Sequence, residues 1–383
     1  MPSVRLLCAL AALAATEGVA LSNDQWLAFI GTYTGEKSHG IYVSRFDAQT
    51  GGLSPAELAA ETKDPTFLAV HPKQRVLYAA GEVNDFGGHE TGSVSAYRFD
   101  SKFGKLTLLN QQPSGGTAPC HLAVDATGRC LLVANYGNGS IAALPLQPGG
   151  SLRPPATVIQ HHGSSVNPQR QAGPHAHFIT PDPANRLALV CDLGLDQVLL
   201  YRFEPAKSSL TPSDPPSVAL KGGAGPRHLA FAPSGRRLYV LNEMGSTLTA
   251  FSYGTKKPGL TELQTVSTLP GSFTGQSTCA EVQVSPSGKF LYASNRGHDS
   301  IAIFAIDSRT GTLTPLGHEP TRGKTPRHFA LAPGGKWLLA ENQDSNEVVV
   351  FGVDSRTGKL SATGTTLEVG SPVCIVFAAI SSF

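Results

Sequence analysis

Arg227 and Glu243 are equidistant from the turn residues Ser234-Gly235, and the chain between them reads as two strands. In a hairpin centred there, both side chains reach the same height at the end away from the turn. A guanidinium beside a carboxylate at such a mouth can tie two strands as an ion pair, or it can work on a substrate. Counting back from the corresponding turns elsewhere brings His121, His177, Glu281, Arg296, Arg327 and His328 to the same mouth. A ring of Arg, His and Glu is suited to binding an anion and to acid/base chemistry. His228 and His328 follow a repeated Pro-Arg, so hydrogen bonding between repeats is an alternative role for both. His175 and His177 stand two apart on one strand face, a spacing that could hold a metal. No third ligand accompanies them, so no metal or other cofactor is assigned. Asn135, Asn242, Asn295 and Asn342 recur at strand ends, where turn chemistry accounts for them. The sequence has no nucleophile elbow, phosphate loop or His-Glu-x-x-His.

The elements that must position these residues repeat. Two strands joined by a Pro/Gly turn recur, with turn residues Pro72, Ala126, Pro183, Pro233, Pro286 and Pro333 at steps of 54, 57, 50, 53 and 47. A period near fifty in strand-only text predicts an all-β, seven-bladed β-propeller of four-stranded sheets. Inner strands are predicted to start near Pro65, Pro119, Pro174, Pro226, Cys279, Pro326 and Pro372. The last has no partner after it, and the strands near Trp26–Ile30 and Gly40–Phe46 have no inner strand before them. Pairing the two ends closes the ring and removes its open edges. The long segment 149–174, carrying His161, His162, Asn167, Gln169 and Arg170, is expected to be a lid or disordered.

A net charge of +2 on 383 residues and few aromatics argue against nucleic acid. Arg5 precedes the apolar run Leu6–Ala15, with small residues to Ala20, so residues 1–21 read as a signal peptide and 25–383 as the propeller. Export to the periplasm or exterior follows, with the cytoplasm as the alternative. The run is too short to span a membrane. Cys8 would leave with the leader, and the remaining five cysteines read as buried free thiols.

The phrases Phe29–Gly35, Ala134–Gly137, Gly173–His177, Asp192–Asp196, Gly225–His228, Asn242-Glu243 and Ser294–Arg296 together resemble the seven-bladed lactonase family over residues 25–383. Its best-known members are the bacterial propeller-type 6-phosphogluconolactonase and the fungal carboxymuconate cyclase. The resemblance implies His177, Arg227, Glu243 and Arg296 as catalytic residues, with His175 as the alternative histidine. It places Arg327, His175, His228, Tyr136 and Glu281 at the substrate. Glu243 or His177 is expected to be the base, Arg227 the oxyanion partner, and Arg296 with Arg327 the holders of an anionic group. The implied reaction is hydrolysis of 6-phospho-D-glucono-1,5-lactone by a monomer, whose partner is that small molecule. The alternatives are ring closure of muconate type and an exported scaffold without catalysis. A scaffold does not require the four side chains to converge.

Overall fold

Residues 24–254 and 259–380 are described by a computed structural model of the chain. The expected signal peptide and Cys8 lie outside the described residues. Seven sheets, six of four strands and one of five, form the seven blades. We number blades 1 to 7 by their inner strands: Pro65–Val70, Pro119–Val124, Ala176–Pro181, Pro226–Phe231, Thr278–Val284, Pro326–Leu331 and Pro372–Ala379. In blade 7 the inner strand comes from the C-terminal end and pairs antiparallel with Gln25–Thr32, from Trp26 opposite Ala379 to Thr32 opposite Pro372. The two ends of the chain therefore close one sheet, which leaves no blade edge open at the junction.

Second strands such as Cys130–Asn135 and Leu187–Asp192 are buried along their whole length. Neighbouring blades cover both of their faces, so their text is continuously apolar rather than alternating. Tyr239 and Leu241 of blade 4, for example, pack with Val282, Leu291 and Phe304 of blade 5. A recurrent tyrosine locks this contact: Tyr78, Tyr239 and Tyr292 donate their hydroxyls to the carbonyls of Gly150, Gly311 and Gly358 in the next blade, at 2.8, 3.1 and 3.0 Å. Gly358 sits at φ +73°, and a Cβ there would lie 2.5 Å from the Phe290 ring, so the turn and the packing both require glycine.

One irregularity recurs around the ring and places the functional residues. In blade 4, Pro226 is opposite Asn242 but His228 is opposite Leu241, which leaves Arg227 unmatched. The same bulge leaves out Thr66, Cys120, His177 and Arg327 in blades 1, 2, 3 and 6, and Val373 in blade 7. In blade 5 the shift falls between Cys279 and Val282. A bulge bends its strand and re-aims the extra side chain, here toward the central channel. In five blades the residue before the inner-strand proline is left-handed: Asp64, Ala118, Gly225, Thr325 and Ser371 have φ between 43° and 64°. Their carbonyls accept the N–H of the first residue past a second strand, namely Glu82, Tyr136, Glu243, Gln343 and Tyr33, at 2.7 to 3.1 Å. Two rings of side chains result, one from the bulges and one from these second-strand ends.

This geometry revises two expectations. Arg227 and Glu243 are not a matched cross-strand pair, because Glu243 bonds to Gly225 and Arg227 occupies the bulge. The segment 149–174 is not all loop, because Thr157–Gln160 is the outer strand of blade 2. The remainder of the segment is pinned down by side chains. His161 Nδ1 meets Asp192 at 2.7 Å, Ser165 donates to Asp196 at 2.5 Å, and Gln171 donates to Leu193 O at 2.9 Å.

The C-terminal strand carries more of the fold than its length suggests. Deleting residues 371–383 removes the inner strand of blade 7 and should abolish the single cooperative unfolding transition. Calorimetry of the truncated protein checks this, and an unchanged melting temperature would contradict closure through that strand.

Candidate active site

The two rings meet around a cavity of about 290 Å³ at one mouth of the channel. The bulges supply Cys120, His177 and Arg327, and the second-strand ends supply Glu82, Tyr136, Glu243 and Arg296. The pinned loop of residues 161–175 adds Arg170. Deeper in, the channel narrows to a constriction of about 10 Å³ between Thr66, Arg227, His228 and His328. A larger groove on the rim, about 640 Å³, is lined by Arg75, Arg98, Lys105 and Asp100 and has no histidine or glutamate in its wall.

Glu243 is the electrostatic centre. Its Oε2 lies 3.0 Å from Arg227 Nε and 2.9 Å from Arg296 Nη2, and its Oε1 lies 2.8 Å from Arg170 Nη2. Burial alone would raise its pKa, but Arg296, Arg227 and the other positive neighbours overcome that and hold the carboxyl well below the usual range. Arg227 also donates to Ala280 O, and Arg296 to Cys279 O at 2.9 Å, so both guanidiniums are fixed in direction. Burial, followed by the charges of Arg296 and Arg327, pulls Arg227 down to about 10, so it stays charged at neutral pH. Three cations against one carboxylate leave a surplus of positive charge facing the cavity. Arg170 is its accessible member, with 41% of its side chain exposed against 3% for Arg227.

His177, aimed inward by its bulge, lines the cavity with Nδ1 unpartnered. Burial and then Arg227 push its pKa well below the ordinary histidine value, so the imidazole is neutral. His175 turns elsewhere. Its Nδ1 bonds Tyr136 O at 2.8 Å and its ring stacks on Tyr136 at 4.5 Å, which holds that tyrosine against the cavity. Tyr136 Oη in turn accepts from Arg170 Nη2 at 3.4 Å. Arg327 reaches the cavity and donates to Tyr33 Oη at 2.9 Å.

His228 and Glu281 stand beneath the cavity rather than in its wall. His228 Nδ1 lies 2.8 Å from Glu281 Oε2, and His328 sits 3.7 Å from Glu281 and 2.5 Å from Glu341 Oε2. His121 is packed between the rings of Phe67 and Phe178 at 4.1 and 4.0 Å. This buried layer is a floor that supports Arg227. Among the described residues no group of His, Cys, Asp and Glu is arranged to hold a metal ion.

Glu82 and Tyr33 are absent from the residues that the sequence pattern singles out. A signal was present, since Glu82 follows Pro65 by the offset that separates Glu243 from Pro226, Tyr136 from Pro119 and Gln343 from Pro326. Tyr33 takes the same place in blade 7, where the chain ends interrupt the offset.

A seven-bladed ring with an arginine-clamped glutamate and a free imidazole at its mouth has the architecture of the propeller lactonases. The family profile described as "Lactonase, 7-bladed beta-propeller" matches residues 27–377, and the chain belongs to that family. It is 35% identical over 353 residues to the 6-phosphogluconolactonase of Bacillus subtilis, covering 92% of this chain and 98% of that protein. A 6-phosphogluconolactonase of Formosa agariphila is 33% identical over 312 residues, with 79% and 85% covered. Among solved structures, the periplasmic gluconolactonase of Pseudomonas aeruginosa superposes with a TM-score of 0.88 at 34% identity, covering 93% of this chain and 100% of that one.

The floor layer predicts a pH-dependent stability. Burial raises the Glu281 carboxyl from 4.5 to about 7, with the positive charge of His328 opposing it. Between those values the native state keeps a proton that the unfolded state has released, so stability falls as pH rises through that window. Glu281→Gln removes this dependence while keeping an acceptor for His228. The melting temperature of the native chain minus that of the variant should drop by a few degrees from pH 4.5 to 7. A constant difference would contradict the buried, proton-holding carboxyl.

Proposed function

We propose that the chain hydrolyses a sugar-acid lactone, taking 6-phospho-D-glucono-1,5-lactone and water to 6-phosphogluconate. One observation carries this reading: three guanidiniums converge on Glu243, which lines one small cavity with the neutral imidazole of His177, whose Nδ1 is unpartnered. Opening a lactone moves negative charge onto the carbonyl oxygen as water adds. The oriented guanidiniums of Arg227 and Arg296 and the ring of His177 are the groups suited to meet that charge. Arg327, together with Arg170 from the loop, suits an anionic group elsewhere on the substrate. Glu243 is too firmly held as an anion to serve as a base near neutral pH. Its role is to keep three like charges together and aimed.

The similarity to a periplasmic gluconolactonase, with the leader read in residues 1–21, supports an exported enzyme for which unphosphorylated gluconolactone is a second substrate. Both lactones therefore belong in the assay, with spontaneous opening subtracted. The native chain should turn over at least one of them faster than buffer, and equality with buffer on both would exclude the reading. Arg227→Ala and Glu243→Gln should each lower kcat/KM by about 10²- to 10³-fold. Because the pair is buried rather than exposed, both should also lower the melting temperature. Arg170→Gln, at the accessible edge, should leave the melting temperature near native and raise KM by about tenfold for the phosphorylated lactone, which is the loss of one charged hydrogen bond. An equal rise for plain gluconolactone would place the phosphate elsewhere.

A further inference from the structure

Lactone hydrolysis requires a group that accepts a proton from the attacking water, and neither residue expected for that task suits it. Glu243 is held by three cations, and His177 is buried beside Arg227, which opposes any added positive charge. Glu82 lines the same cavity and continues into the constriction beneath it. It occupies the place in blade 1 that Glu243 occupies in blade 4, its N–H bonded to Asp64 O at 2.9 Å. Its surroundings are of another kind. Tyr33 Oη donates to Oε1 at 2.9 Å and lies 3.0 Å from Oε2, and Thr66 Oγ1 donates to Oε2 at 2.6 Å. Among the described residues it forms no ion pair. Hydroxyls orient the carboxylate without neutralising it, and each oxygen keeps lone-pair capacity for water.

We propose that Glu82 is the base that takes the proton from the attacking water and returns it to the leaving ring oxygen. This rests on the reading of the chain as a lactone hydrolase. The water's O–H bond breaks toward a Glu82 oxygen as the water oxygen bonds the lactone carbonyl carbon, and the carbonyl π pair moves onto its oxygen. When that pair re-forms the double bond, the bond from the carbonyl carbon to the ring oxygen breaks. The ring oxygen then takes the proton from Glu82. One water is consumed, a hydroxyl and a carboxylic acid appear, the acid ionises in solvent, and Glu82 is again a carboxylate.

The charged and titratable groups that face Glu82 are Arg327, Arg227, Tyr33 and Cys120, with His177 across the cavity. Burial raises its pKa and outweighs Arg327 and the Thr66 and Tyr33 hydroxyls, which lower it. The group is thereby moved toward the pH at which a base works best. Tyr33 also links it to Arg327, whose Nη2 donates to the same hydroxyl at 2.9 Å and whose guanidinium lies 5.3 Å from the ring centroid.

The experiment is the pH profile of kcat and kcat/KM on both gluconolactones for the native chain, Glu82→Gln and Tyr33→Phe. Native activity should fall at acid pH along a limb set by Glu82, with its midpoint above 4.5. Glu82→Gln should lose about 10²- to 10⁴-fold in kcat with KM little changed, and the residual rate should lack that limb. Tyr33→Phe removes a bond that favours the carboxylate, so its limb should move to higher pH while most of the rate at high pH survives. Tyr33→Phe keeps the test open should Glu82→Gln fold poorly. A Glu82→Gln enzyme with native kcat, or with the acid limb intact, overturns the assignment, as does a Tyr33→Phe limb that stays in place. A native chain inactive on both lactones would instead overturn the hydrolase reading on which the assignment rests.

Discussion

One extra residue at the head of each inner strand governs how this molecule presents chemistry. A regular antiparallel hairpin would face Arg227 and His177 into the packing between blades, where neighbouring sheets cover both faces. The bulge turns each outward from its sheet and into the channel. A left-handed residue before the proline reverses the chain sharply, and its carbonyl holds the backbone of the second-strand end. Non-glycine residues such as Ala118 and Thr325 carry that conformation at a cost of about 1 kcal/mol or more each. The ring tolerates this because closure between the chain ends leaves no blade free to relax. Position is thus common to all seven blades, while the residue placed there differs from blade to blade.

Four glutamates, three buried and Glu82 half-buried, show how environment divides labour among identical side chains. Glu243 is surrounded by guanidiniums and is a fixed anion. Glu82 is surrounded by hydroxyls and remains basic. Glu281 and Glu341 face the imidazoles of His228 and His328 and retain protons more readily. Desolvation penalises the charged form at all four sites, so the partner decides the outcome. The cations around Glu243 would repel one another without it. That mutual dependence keeps a positively charged surface preorganised where water can still be excluded, and electrostatic stabilisation is strongest in such a site.

Much of this was legible in the chain itself. The fifty-residue period, the proline-headed inner strands and the unpaired strands at the two ends specified the closed propeller, since each is a local signal repeated. The meeting of His177, Arg227, Glu243 and Arg296 was legible because the hairpin spacing carries them to one mouth. The bulge was not, because an unmatched residue leaves the alternation of buried text nearly unchanged. Counting from a turn centred on Gly235 set Arg227 opposite Glu243, whereas the register from Phe231–Leu238 runs one residue short of that and the bulge then leaves Arg227 unmatched. His175 and His177 could not be told apart by spacing, since only the bulge selects between them. Glu82 was missed because its blade lacks the Pro-Arg-His phrase that drew attention to blades 4 and 6, although its offset from Pro65 matches. The anchoring of Arg170 depended on contacts between the loop and blade 3, which no local pattern encodes.

The most direct measurement of the central claim, that the two rings together form the working site, is a crystal structure with 6-phosphogluconate bound. The product carboxylate should lie in the cavity within hydrogen-bond distance of His177 or the Arg227–Arg296 pair, with Glu82 adjacent and Arg170 nearest the phosphate. Product seated instead in the rim groove beside Arg75 and Arg98, with the channel mouth filled only by water, would contradict it.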